Sequence, residues 1–267
     1  MKLSVAIATY NEEDTIARCL GSVAGFASEI VVVDGSSTDN TVSIAKKYKA
    51  RIIVTDNPRI FHINKQKAIN ACHGEWILQL DADEVVTKEL SEEIIQTINP
   101  VPEQARYRAG NQQLAINGYW ISRKNYFLGR WLSKGGQYPD YTLRLYRRGK
   151  GRLPCKSVHE QAEVNGKVGY LINPLLHYPY PNFSHYLEHF SRYTSILANE
   201  FVHDKLAVSL TTFIQFIVVK PLWWFLSTFI RHKGFYDGYA GLMFSFFSAL
   251  RFPTAYIKFL KNYHRIK

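Results

Sequence analysis

The chain has 267 residues, 46% of them hydrophobic, enough to bury a full core as one large domain or as a domain with an appendage. Its three cysteines, Cys19, Cys72 and Cys155, are widely spaced and form no CxxC, which excludes a disulfide framework or a cysteine-ligated zinc and points to a reducing compartment. A formal net charge of +11 asks for a polyanionic partner, whether nucleic acid, anionic membrane or phosphorylated substrate.

Leu3–Thr9 (LSVAIAT) reads as a first strand, and its apolar run is too short for a signal peptide, so the chain is expected to start in the cytoplasm. After a turn at Tyr10-Asn11, residues Glu12–Val23 predict a helix with Ile16, Leu20 and Val23 on one face. Glu29–Asp34 (EIVVVD) is a second buried strand, closed by the polar turn Gly35–Asp39. A helix over Asn40–Tyr48, a strand over Arg51–Thr55, a helix over Asn64–Cys72 and a strand over Trp76–Leu80 continue the alternation. Four strand–helix repeats with short connections predict an α/β domain with a mainly parallel sheet. After the helix Thr87–Ile98 and the stretch Asn99–Pro102 the alternation stops. Gly118–Arg123 and Thr142–Arg147 predict further strands, and Phe183–Phe201 an aromatic-rich helix.

Leu206–Ile230 is almost wholly apolar and about the length of a membrane span. Lys220-Pro221 falls at its middle, so two shorter helices meeting there and dipping into one leaflet are expected rather than a clean span. Trp223 and Trp224 beside Lys220, and the basic aromatic tail Arg251–Lys267, suit an anionic membrane surface. The alternative is a buried helical subdomain.

Chemistry is concentrated at strand ends. The run Trp76–Leu80 stops abruptly in Asp81, Asp83 and Glu84. Acids at the carboxyl edge of an open α/β sheet lie where such sheets bind ligands. Two carboxylates one residue apart suit Mg²⁺ or Mn²⁺ bridging to substrate phosphates, although acids here also serve simply to cap the next helix. Thr9-Tyr10 and Asp34 close the first two strands. An aromatic there stacks on a base and a carboxylate accepts from a base imide or ribose hydroxyl, while both patterns are also ordinary turn chemistry. Arg144 and Arg147 fall on opposite faces of their strand; Arg144 is the better candidate for a phosphate contact. His177, after an apolar run, is a candidate third metal ligand or a structural histidine.

The segments SVAIATYNEE, EIVVVDGSSTDNT, INKQKAINACHGEW and LQLDADE, in that order and spacing, resemble the inverting family 2 glycosyltransferases of GT-A fold. RLYRRGKGRLPCKSVHE and LLHYPY resemble the subgroup of bacterial lipopolysaccharide-core enzymes. The resemblance implies a GT-A domain over 1–180, with a nucleotide-binding half at 1–99 and an acceptor half at 100–180, followed by a membrane-associating helical region at 181–267. It places Thr9, Tyr10 and Asp34 at nucleoside-binding positions, Lys65 near the diphosphate, and Asp81 and Asp83 as the DxD pair, with Asp83 on the metal. Glu160 matches the catalytic base, with Asp140 as the other candidate and His159 as its orienting neighbour. An ion pair from Glu160 to Lys156 or Arg152 is the plain structural reading. The implied activity is transfer of a sugar from a nucleotide diphosphate sugar, UDP-linked by expectation, to a lipid-linked glycan acceptor. The implied place is the cytoplasmic face of a bacterial inner membrane, peripheral or monotopic. A basic nucleic-acid-binding protein is the competing reading, but Asp81–Glu84 repel a phosphate backbone and the lysines form no stripe, so no nucleic-acid partner is expected. A phosphohydrolase using LDADE would have to explain why the motif follows the fourth strand.

Overall fold

The computed structural model describes residues 2–99, 116–156, 160–180 and 182–266, with side chains to 262. The chain forms two compact units, Met1–Arg123 with Asp140–Tyr178, and Lys124–Pro139 with Pro179–Lys267.

In the first unit, β1 (Leu3–Thr9), β2 (Glu29–Asp34), β3 (Arg51–Val54) and β4 (Trp76–Asp81) are parallel in the order β3-β2-β1-β4. Their residues alternate between two covered faces, which is why these strands read as continuous apolar runs. Val5, Ile7, Val32, Leu78 and Leu80 pack on one side with α1 (Ile16–Val23), α2 (Thr41–Lys47) and α4 (Lys88–Ile98). Ala6, Val31, Val33 and Ile77 face α3 (His62–Ala71) through Ala68 and Ile69. Along α1, the buried residues Ile16, Cys19, Leu20 and Val23 recur at helical spacing, and Leu90, Ile94 and Ile98 do the same along α4. Thr87 caps α4 by accepting from the Leu90 amide at 3.1 Å. Gly74 precedes β4 because a Cβ there would lie 2.7 Å from the Ser4 backbone nitrogen.

The sheet continues antiparallel beyond β4. The short β5 (Glu84–Val86) follows β4, and β6 (Ile116–Phe127) ends in a two-residue pairing with β7 (Arg130–Trp131). Next comes β8 (Asp140–Arg147), which lies between β4 and β6. β9 (Gly151–Arg152) pairs with β10 (Glu163–Val164), while β11 (Lys167–Tyr170) pairs with β6 and β12 (Leu175–His177) with β5. The β5–β12 pairing sets His177 opposite Glu84. The expected helix from Glu12 starts only at Ile16, because Glu12–Thr15 are drawn into turns that bond to the second strand's loop.

In the second unit, α5 (Phe183–His203) packs against α7 (Gly238–Ile266), and a helical run α6 (Leu210–Arg231) also packs on α7. Two corrections to the sequence reading arise here. Residues 124–139 do not belong with 100–180, because Phe127 and Leu132 pack with Tyr186 and Ala240. Buried Asp237 further ties the segment by accepting from the Ser133 amide and hydroxyl and the Lys134 amide, at 3.1, 2.8 and 2.9 Å. Nor does the apolar run break at Lys220-Pro221. Gln215–Val219 is π-helical, with the Lys220 amide donating to Gln215 five residues back. That shift of register absorbs the amide that Pro221 lacks and keeps α6 continuous.

Candidate active site

The three parallel strands β1, β2 and β4 end level with one another. Thr9 is in register with Asp34, and Ala8 with Asp81, so the polar residues after each strand share one rim. Tyr10 is 46% exposed there. Thr9 Oγ1 donates to Asp34 Oδ1 at 2.9 Å, and Ser37 donates to the same carboxylate through its amide (2.8 Å) and hydroxyl (2.6 Å). Asp34 is fully buried. In this structure it braces the β2 turn instead of facing solvent, a correction to its expected nucleoside contact, since both of its oxygens are already engaged. Asn11, in the left-handed region at φ 54°, accepts from the Thr38 amide at 2.9 Å and ties the two strand ends together.

At the end of β4 the two acids of the DxD sequence have different surroundings. Asp81 forms ion pairs with Lys65 Nζ and, at 2.6 Å, with Arg144 Nη2, and Gln79 donates to it at 3.3 Å. Burial alone would raise its pKa, but Arg144 and Lys65 outweigh that and hold the carboxyl well below its ordinary range. Asp83 has one oxygen 3.3 Å from His177 Nε2. Its other oxygen is buried and takes no hydrogen bond among the described residues. His177 outweighs burial there and lowers the Asp83 pKa.

Arg144 is 6% exposed and donates to Gln79 and Glu84 as well as Asp81, each at 2.6 Å. Its expected phosphate contact is therefore not what the geometry shows: the guanidinium is consumed in neutralising two acids of the site. Glu84, fully buried, also accepts from the Asp81 amide at 2.9 Å and from Arg123 at 3.3 Å. Arg147 points away from this cluster to Glu75, 2.7 Å distant.

A cleft of about 230 Å³ opens in this unit, lined among others by Phe61, Lys65, Asp81, Arg144 and Glu160. Glu160 Oε1 accepts from the Lys156 backbone amide at 2.6 Å. Arg152 pairs with Glu163 at 2.9 Å. Asp140 is neutralised by Arg123, which donates to it at 2.7 and 3.0 Å. His159 lies outside the described residues.

The fit of a divalent ion follows from these contacts. Asp83 and His177 stand side by side, and the buried Asp83 oxygen lacks a partner, so the donor set suits Mg²⁺ or Mn²⁺. Asp81 does not join them, since Lys65 and Arg144 hold both of its oxygens. Among the described residues no three His, Cys, Asp or Glu side chains enclose a metal, so substrate oxygens and water would complete the shell.

Sequence reasoning passed over Glu12. Burial, with Asp83, Asp81 and Asp39 nearby, raises its pKa to about 7 against a pull down from its Thr15 hydrogen bond. The signal for it was the acid pair following Tyr10-Asn11 at a strand's ligand edge. A carboxyl with a raised folded pKa lends stability below its ordinary pKa of 4.5 and loses it as pH rises through about 7. We therefore expect the melting temperature of the ligand-free protein to carry a component that falls between pH 5 and 8. Glu12→Gln removes that component; an unchanged profile would assign the fall elsewhere.

The family model described as Glycosyl transferase family 2 matches residues 4–150, more than half of the chain. The chain belongs to glycosyltransferase family 2. As a family 2 glycosyltransferase it is an enzyme of GT-A-like α/β fold. It is 30% identical to a glycosyltransferase of Rickettsia typhi over 94% of this chain and 85% of that one. It is 27% identical to the lipopolysaccharide core biosynthesis glycosyltransferase LpsC of Rhizobium meliloti, over 94% and 92%. Among solved structures, S. aureus TarS residues 1–349 in complex with UDP-GlcNAc matches at a TM-score of 0.48 and 19% identity, covering 98% of this chain and 89% of that one.

Proposed function

We propose that this family 2 glycosyltransferase moves a sugar, with inversion, from a nucleotide diphosphate sugar (a UDP-sugar as the leading candidate) to a lipid-linked glycan such as lipopolysaccharide core. The observation that carries the reading is one cleft lined by Lys65, Asp81 and Glu160, with Asp83 and His177 at the turn beyond β4. The rim of Thr9 and Tyr10 receives the nucleoside, Tyr10 offering an exposed ring for stacking. Asp34 sets the shape of that rim. Lys65 meets the charge that builds on the departing diphosphate. Asp81, Glu84 and Arg144 hold Lys65 and Asp83 in place. A divalent ion at Asp83 and His177 supplies Lewis-acid stabilisation of the leaving group.

Glu160 acts on the other reactant. Its carboxylate takes the proton of the acceptor hydroxyl as that oxygen bonds to the anomeric carbon and the bond to the diphosphate oxygen breaks. The Lys156 amide fixes one carboxylate oxygen for this task. Asp140 is the weaker candidate because Arg123 already neutralises it.

A thermal-shift panel of nucleotide sugars with and without Mn²⁺ tests the donor. A UDP-sugar is expected to raise the melting temperature more with metal than without. A folded protein indifferent to every nucleotide sugar in both conditions would refute the reading.

The lipid-linked acceptor is supported by the second unit and by the name of the LpsC relative. That unit holds 13 Lys and Arg against four Asp and Glu, so most of the molecule's positive charge resides there. The α6 run is 22 residues long and apolar enough to cross a membrane, and only 11% of its most apolar window is buried in the protein. Phe213, Ile214, Val218, Leu222, Leu226 and Ile230 are exposed at helical spacing. Lys220 sits 3.7 Å over the Phe216 ring. Such a helix, with cations around it, suits the interface of an anionic leaflet at the cytoplasmic face of an inner membrane. The full chain is expected to sediment with phosphatidylglycerol vesicles at low salt and less with neutral ones, and Leu222→Glu to weaken this. Equal recovery in the supernatant with and without vesicles would dismiss membrane association.

A further inference from the structure

A second cavity lies wholly inside the second unit, between α5 and α7, with a volume of about 180 Å³. Phe190, Tyr193, Leu197 and Phe247 make its apolar wall. Its polar end is Ser248 and Arg251. A groove of this size takes a stretch of one hydrocarbon chain, being smaller than the roughly 300 Å³ at which drug-sized sites begin.

Arg251 is the unexplained group. It is half-buried, and among the described residues it has neither an ion pair nor a hydrogen bond. Its guanidinium lies 4.2 Å from the Trp224 ring and 4.8 Å from that of Phe252, so its orientation is set by stacking alone. Trp224 Nε1 in turn donates to Ser248 at 2.6 Å, which fixes the plate on which the guanidinium rests. Two turns further along α7, Lys258 reaches oxygens of Ser191, Thr194 and Ser195 on α5 and likewise meets no carboxylate among the described residues. Burial pushes the pKa of both cations down. Partly buried positive charge without a counter-ion is costly, and the same end of the groove is where an anion would relieve it.

We propose that this groove binds a single-chain lipid phosphate, its hydrocarbon chain between Phe190, Leu197 and Phe247 and its phosphoryl group on Arg251. The occupant is set by charge complementarity: an aromatic slot for one chain that ends at an unpaired guanidinium. A neutral lipid leaves that cation unanswered, and a free phosphate leaves the slot empty. This site deepens the lipid-linked acceptor reading and rests on it for its meaning, but it is tested without donor or metal, so the two can fail separately.

The test is a titration of the full chain with dodecyl phosphate below its micelle concentration, read by tryptophan fluorescence and melting temperature. Inorganic phosphate, dodecanol and dodecyl trimethylammonium are the comparison probes. Dodecyl phosphate is expected to bind at least tenfold more tightly than each of the three. Arg251→Gln is expected to erase that preference. Leu197→Trp, which fills the slot and leaves Arg251 in place, should also weaken binding tenfold or more, and it decides the matter if Arg251→Gln does not fold. Donor-dependent thermal shift in the first unit should be unchanged in both variants. Equal binding of dodecyl trimethylammonium, inorganic phosphate as good as dodecyl phosphate, or undiminished binding by Leu197→Trp would each overturn the proposal.

Discussion

Asp83→Ala is expected to lower metal-dependent sugar transfer by about 10²–10³-fold, because a divalent ion in a dry site contributes several kcal/mol and each ~1.4 kcal/mol is tenfold in rate. The same variant should lose the extra thermal shift that Mn²⁺ gives a nucleotide sugar, while keeping the shift without metal. Its own fold should be nearly undisturbed. The Asp83 contact to Tyr178 runs through the backbone carbonyl, and its buried Oδ1 has no hydrogen bond among the described residues to lose. Isothermal titration with Mn²⁺ and a UDP-sugar, beside a turnover assay, reads all of this. Transfer within a few-fold of wild type would remove Asp83 from the metal site.

Glu160→Gln separates proton transfer from binding. The amide keeps an oxygen to accept the Lys156 amide, so the side chain's setting survives while its basicity is lost. General-base catalysis is worth roughly 10²–10⁴-fold. We expect kcat to fall by about that factor with the donor affinity nearly unchanged, a split that a merely structural glutamate would not produce. Near-normal transfer by Glu160→Gln would place the base elsewhere. Asp140 would then need Arg123 to release it, and Arg123→Gln in that background is the direct check.

Much of the nucleotide-binding half was legible because it is built from local rules. LSVAIAT, EIVVVD and WILQLD are apolar on both faces, as only buried parallel strands are, and the structure has them as β1, β2 and β4 in register. The alternation of strands with amphipathic helices then puts every strand's carboxyl end on one rim. The division of labour within the DxD sequence was not legible. Asp81 and Asp83 look alike in the chain, but β8 brings Arg144 and α3 brings Lys65 to the first, while β12 brings His177 to the second. Arg144 was assigned to phosphate for the same reason: its partners Glu84 and Gln79 are distant in sequence, and only antiparallel pairing of β8 with β4 shows that its charge is already used.

The membrane-side unit divides in a similar way. Composition alone marked Leu206–Ile230 as apolar and its neighbours as basic and aromatic. Proline in mid-helix predicted a break, because propensity counts the missing amide; the structure keeps the helix by a π-helical change of register.

By itself the amino-acid order determined the strand–helix alternation, the shared rim of Thr9, Asp34 and Asp81, and the family, since each depends on periodicity or on short motifs within a few residues. Only the tertiary structure decided which acid is neutralised and which keeps an unsatisfied oxygen, that residues 124–139 pack with the second unit, and that Arg251 stands without a counter-ion. Those are outcomes of contacts between distant segments, and electrostatic pairing depends on distance in space, which spacing along the chain does not encode.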